Sequence, residues 1–198
     1  SNVIDYITIA TTGDATDFGN LTRSVANSPA PASSETRGLW AGGFESSNSN
    51  TIDYITIAST GNATDFGDTT QARNTHAGLS DTSRACFAGG SSYTNIIDYV
   101  TIDTTGNALD FGDLTVARSG LAGVDHKTRG VIMGGYTGSY VDTIDYITIQ
   151  TLGNATDFGD ISLSIRARNG AVSNDTRGVL ALGDNGGGSD AVNNMEYI

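Results

Sequence analysis

The segment IDYITIATTGDATDFGN, beginning at Ile4, returns as IDYITIASTGNATDFGD at Ile52, IDYVTIDTTGNALDFGD at Ile97 and IDYITIQTLGNATDFGD at Ile144. Measured between Asp5, Asp53, Asp98 and Asp145, the steps are 48, 45 and 47 residues. A period of this size constrains the fold strongly, because so short a unit cannot bury its own apolar faces and needs neighbours of the same kind. The 198 residues therefore read as one domain, 1–198. Its units are 37–83, 84–128 and 129–176, with a fourth assembled from 1–36 and 177–198. The repetition also disposes of the Asp-Phe-Gly tripeptide as kinase machinery: a kinase uses it once, beside a catalytic loop and a Gly-rich phosphate loop.

Within the unit that starts at Arg129, four strand-like pieces follow one another. The first, 130–134, is apolar and closes on Gly134-Gly135. The second, 144–149, carries apolar residues on both faces, which predicts a strand covered above and below. Gly153-Asn154 then predicts a tight hairpin, and 155–161 a third strand with Gly159 at a bulge or close backbone approach. The fourth piece is 170–173, and the polar turn NDTRG returns the chain to the next unit. Read this way, every unit is a four-stranded antiparallel meander. Gly (26 residues), few Pro (2), and abundant Thr, Ile, Val and Tyr suit that reading.

The double glycines Gly42-Gly43, Gly89-Gly90 and Gly134-Gly135, followed by Tyr54, Tyr99 and Tyr146, resemble kelch repeats. That resemblance implies a β-propeller of four kelch-like blades. Kelch units place a Trp soon after the Tyr, whereas here Phe66, Phe111 and Phe158 come 12 residues later and the only Trp is Trp40. The whole repeat, with its later AR and TRG, is also similar to tandem units of structural and tail-fibre-like proteins of marine bacteriophages, cyanophages among them. What this implies is a virion or extracellular setting and a binding or structural role.

The chain starts in a second strand and its last apolar run, 178–183, is a first strand. The expectation is a ring closed by pairing of the N- and C-terminal strands, which removes unpaired edges. The remaining NNMEYI resembles the start of a fifth unit: a tail, an extra strand, or a sign that the natural protein continues.

A formal charge of −12 and a single lysine, Lys127, argue against nucleic acid, which needs basic stripes. No apolar run approaches the ~18 residues of a membrane helix, so membrane insertion is not expected. Ser1 leads almost at once into a repeat, so any targeting signal has been removed or was never there. Cys86 stands alone, at a place where other units carry Leu39 and Val131, and reads as a small buried apolar residue.

Arg37, Arg84, Arg129 and Arg177 recur before each first strand, with Arg73 and Arg118 in the AR position. They are expected to pair with the repeat aspartates Asp5, Asp53, Asp98 and Asp145, since planar guanidinium suits partly buried carboxylates. The alternative is a ring of cations for an anionic ligand. No metal or cofactor is expected. Asp65/Asp68, Asp110/Asp113 and Asp157/Asp160 lack calcium-loop spacing, and His76 and His126 lack partners spaced as ligands.

If shared residues are scaffold, specificity belongs where units differ. The loops 44–51, 91–96, 136–143 and 184–194 differ most and are rich in Tyr, Ser, Gly and Asn. Phe44, Tyr93, Tyr136 and Tyr140 are the candidate contacts. The function expected is non-enzymatic recognition of a host-surface glycan or protein, or attachment to another virion protein. The alternatives are a bacterial surface interaction module and a glycan-active enzyme. For the enzyme, Glu35 and Glu45 are the available carboxylates.

Overall fold

The computed structural model describes residues 1–26, 29–166, 170–185 and 191–198, excepting the side chains of Leu182 and 191–194. All regular structure among them is strand. A hairpin of β1 (Val3–Tyr6) and β2 (Thr16–Asn20) precedes three antiparallel four-stranded sheets. Blade one holds β3 (Ala30–Ser33), β4 (Arg37–Ala41), β5 (Thr51–Thr56) and β6 (Thr64–Asp68). Blade two holds β7 (Ala77–Ser80), β8 (Arg84–Ala88), β9 (Ile96–Thr101) and β10 (Leu109–Asp113). Blade three holds β11 (Ala122–His126), β12 (Arg129–Tyr136), β13 (Tyr140–Thr148) and β14 (Thr156–Asp160). Blade four is three-stranded: β15 (Ala171–Ser173), β16 (Gly178–Asp184) and β17 (Ala191–Tyr197).

The arrangement is propeller-like. β3 packs on β7, β7 on β11 and β11 on β15, and residues of all four, or immediately beside them, line one cleft of about 340 Å³ on the axis. The core lies between blades. Phe66 and Leu39 of blade one share a cluster with Phe87, Val100 and Ile102 of blade two, and Leu79 and Phe111 of blade two share one with Ile132, Ile147 and Ile149 of blade three. The two apolar faces of the IDY strand follow from this. In β9, Ile97 faces the interface with blade three and Val100 the interface with blade one.

Neighbouring blades are also joined through backbone. The amide of Gly61 donates to Phe18 O, Gly106 to Phe66 O and Gly153 to Phe111 O. One step on, Ala63, Ala108 and Ala155 donate to the carbonyls of Asn20, Asp68 and Asp113. The side chains of Asn62, Asn107 and Asn154 accept from the amides of those same three residues at 3.0–3.1 Å. Each Gly-Asn-Ala thus docks on the Phe-Gly-Asx of the preceding sheet. Phe is also where the ladder skips a residue: Ile52 pairs with Gly67 and Asp53 with Asp65. Gly67 sits at φ +143°, and a Cβ there would lie 2.4 Å from Gly106 O.

Three expectations are corrected. First, the piece 170–173 belongs to the next blade, because β15 pairs with β16 and not with β14. The unit boundaries 37–83, 84–128 and 129–176 therefore split every sheet one strand late. The polar turn that was expected to separate units is a hairpin inside a blade, with Asn174 Oδ1 accepting from the amides of Thr176 and Arg177. Second, the expected tight hairpin is a seven-residue loop, 149–155, between β13 and β14, whose Gly-Asn serves the neighbouring blade. Third, among the described residues no strand exchange between the ends seals the ring. β1 pairs with β2 alone, and β17 pairs with β16 in the place expected of β1. NNMEYI is thus an extra strand. Tethered within six residues of β16, it meets that edge at far higher effective concentration than a strand at the other end of the chain.

The joint gives a paired prediction. Gly112 and Gly159 have similar backbone angles, φ +145° and +134°. A Cβ on Gly112 would meet Gly153 O at 2.4 Å, while one on Gly159 would meet nothing within 4 Å. In urea denaturation, Gly159→Ala should cost the backbone strain alone, roughly 1–2 kcal/mol. Gly112→Ala should cost about 3 kcal/mol or more.

Candidate binding site

The repeated charges are structural: Arg73 and Arg118 pair with repeat aspartates as expected, whereas Arg37, Arg84, Arg129 and Arg177 take other partners. Arg73, at the end of blade one, reaches into blade two: its Nη2 lies 2.7 Å from Asp98 Oδ2 and also donates to Phe87 O. Arg118 Nη1 is 2.8 Å from Asp145 Oδ2, and its Nε donates to Gly134 O. All four side chains are fully buried. Thr70 and Thr115 complete the carboxylates through their hydroxyls. Burial lowers the Arg73 pKa, with Asp98 opposing it. Asp53 is equally buried and accepts from Thr22, but its Oδ2 has no partner, because Val25 stands where Arg73 and Arg118 stand. Asp5 is exposed on the N-terminal hairpin.

Arg37, Arg84, Arg129 and Arg177 do not pair with these aspartates. Their guanidinium groups lie 4.5–4.7 Å from the ring centres of Tyr54, Tyr99, Tyr146 and Tyr197. Such contacts are worth about 0.5–2 kcal/mol each. Arg37 and Arg84 also donate to Ile102 O and Ile149 O of the following blade. Spacing alone did not reveal this, because Tyr lies on the same face of the neighbouring strand only once the β4–β5 register is known.

Three of the four rim aromatics come together. The rings of Tyr93 and Tyr136 are 5.9 Å apart and those of Tyr136 and Tyr140 5.2 Å. The cluster joins the loop of blade two to that of blade three. Arg166 lies over the ring of Tyr136, 4.1 Å from its centre, and Tyr140 donates its hydroxyl to Asp184 of blade four at 3.0 Å. Arg166 and Asp184 were not singled out in the sequence. Arg166 falls one place beyond the AR alignment, with Ile165 in the buried slot.

Tyr93 is 45% exposed. It and Ser92 both adopt left-handed backbone, at φ +52° and +68°. Two consecutive non-glycine residues in this region are uncommon and costly, and such strain concentrates at functional sites. Phe44 stands apart, half-buried in a local bridge with Asn48. Asn48 in turn donates to Ser91 and accepts from Asn74, tying the loops of blades one and two together. Residues 186–190 of the loop 184–194 lie outside the described residues.

Glu35 and Glu45 are exposed at opposite ends of β4. A five-residue strand spans about 13 Å between its end Cα atoms, more than a glycosidase pair uses. No group of three or more His, Cys, Asp or Glu side chains that could hold a metal occurs among the described residues. Among them, too, no helix is long and apolar enough to cross a membrane. Cys86 is buried and its thiol is pushed up to about 12, chiefly by desolvation. No protein-family model matches the chain, and no curated protein matches it.

His76 lines the axial cleft but is itself buried. Its pKa is lowered to about 3, first by burial and then by Arg73; the backbone of Asn74 and Ala41 offsets little, and neither nitrogen makes a well-formed hydrogen bond. The folded state therefore refuses a proton that the unfolded chain accepts near pH 6.5. Stability from this group is complete above that pH and falls as pH drops toward 3. Between pH 7 and 5 the loss should be about 2 kcal/mol. Urea titrations at both pH values should show this difference for the wild type and lack it for His76→Gln.

Proposed function

We propose that this protein is a non-enzymatic binding module that recognises a host-surface glycan through its rim, as part of a phage particle. The observation that carries the binding reading is the tyrosine cluster. Three aromatic rings from two blades meet at one end of the molecule, and the most exposed of them sits on strained backbone. Aromatic faces stack on sugar rings and lose little conformational freedom when they bind. Their hydroxyls, together with the Ser and Asn side chains of neighbouring loops, supply adaptable hydrogen bonding. The kelch-like repeat and the virion setting rest on the likeness of IDYITIASTGNATDFGD and its sister segments to phage tandem units. Attachment to another virion protein through the same rim is the protein-binding form of this reading.

The test is binding to cyanobacterial cells and to their extracted surface polysaccharide. Tyr93→Ser and Tyr140→Ser should each weaken binding by roughly tenfold while leaving the urea midpoint nearly unchanged for Tyr93, which packs least. Binding that survives replacement of 91–96 and 136–143 together would remove the rim from consideration.

A further inference from the structure

The joint between blades is made three times, and the two halves of a fourth remain open. On blade three, Phe158 is 43% exposed, where Phe66 and Phe111 are 3% exposed. A Cβ on Gly159 would have empty space around it. Beside Phe158 opens a cleft of about 300 Å³ lined by Arg129, Val131 and Ile198. On the N-terminal hairpin, Gly13-Asp14-Ala15 occupies the place of Gly-Asn-Ala. Ala15 is exposed although its counterparts Ala63, Ala108 and Ala155 are buried. Ile9 of the same hairpin is 95% exposed, whereas its counterparts Ile102 and Ile149 are wholly buried between blades and Ile57 is 45% exposed. The carbonyls of Ile102 and Ile149 accept from Arg37 and Arg84. Arg129, the next in that series, lines the cleft.

We propose that this seam is an interface between copies of the chain, in which the N-terminal hairpin of a second copy displaces β17 and completes blade four. Ile9 of the incoming hairpin fills the cleft beside Arg129, and its Gly13-Asp14-Ala15 docks on Phe158-Gly159-Asp160. β17 is the occupant to be displaced because it already mimics what the hairpin would do. Glu196 accepts from the amide and hydroxyl of Ser162, as Asp98 accepts from Thr70, and Arg177 covers Tyr197. It fills one strand position only, and Met195 and Tyr197 remain mostly exposed. A hairpin fills two strand positions and also buries Ile9 and Phe158. The chain's own hairpin makes no hydrogen bond to β16 among the described residues, so its open edge is available to another molecule. Exchange of an identical element is a low-cost route to association, and this contact is head-to-tail.

One feature opposes the contact. Asp14 stands where Asn62, Asn107 and Asn154 stand in the joints already made, and it would face Asp160. Association is therefore expected to be weak and to strengthen with salt.

Light scattering coupled to size-exclusion chromatography over a hundredfold concentration range reads the proposal directly. The wild type should gain mass with concentration, and Asp14→Asn should shift that transition to roughly fivefold lower concentration. Tyr197→Ser, which loosens β17, should shift it the same way. Ile9→Glu should remain at single-chain mass, and because Ile9 is exposed in the free chain its urea midpoint should not change. A single-chain mass for the wild type, Asp14→Asn and Tyr197→Ser at every concentration would overturn the proposal. So would association that Ile9→Glu leaves intact, or a hairpin that seals the seam of its own chain.

Discussion

Everything in this molecule depends on one backbone joint: a Gly-Asn-Ala loop of each blade laid against the Phe-Gly-Asx strand of the blade before it. The contact requires a bulge, and the bulge requires glycine. At Gly19, Gly67 and Gly112 the neighbouring carbonyl would stand 2.3–2.4 Å from any Cβ. Once the joint is set, the Phe ahead of each of these glycines is pressed between sheets, where Phe66 meets Tyr54 edge-on and Phe111 meets Tyr99. The residues that looked most like chemistry, Asp-Phe-Gly with acids around it, are the socket of this joint.

The second tie is electrostatic and runs the other way along the chain. Arg73 and Arg118 leave one blade and end on a buried carboxylate of the next. Taking a guanidinium and a carboxylate out of water is expensive; Arg118 offsets it with bonds from all three of its nitrogens, whereas Arg73 bonds through Nη2 alone and leaves Nε and Nη1 without partners. Removing one member would strand the other. Asp53 shows a milder case, with one oxygen satisfied by Thr22 and the other without a partner.

Much of this was legible in the sequence, and what was missed follows from a single cause. Strand positions, the two-faced burial of the IDY strand and the bulge at Gly159 are local properties, and residue pattern reports them. Which sheet a strand joins is not local. Residues 170–173 are strand-like from either side, and only hydrogen bonding assigns them to β16. The same limit applies to charge. Arg37 and Arg73 look equivalent along the chain, yet one lies over a tyrosine and the other is buried against an aspartate in the next sheet. The rim tyrosines were visible because they vary, whereas Arg166 was hidden by a one-residue slip in alignment with Arg118.

Because peptide groups and a glycine form most of the joint, it is nearly blind to the side chains that distinguish one blade from another. Any unit bearing the socket accepts any unit bearing the loop. An array built on such a coupling can be lengthened, shortened or shuffled by recombination between its own repeats, provided the apolar residues that meet at the same seam keep their kind and size. The number of blades is then a quantity that evolution can change in one event, while the faces they display diverge at their own pace.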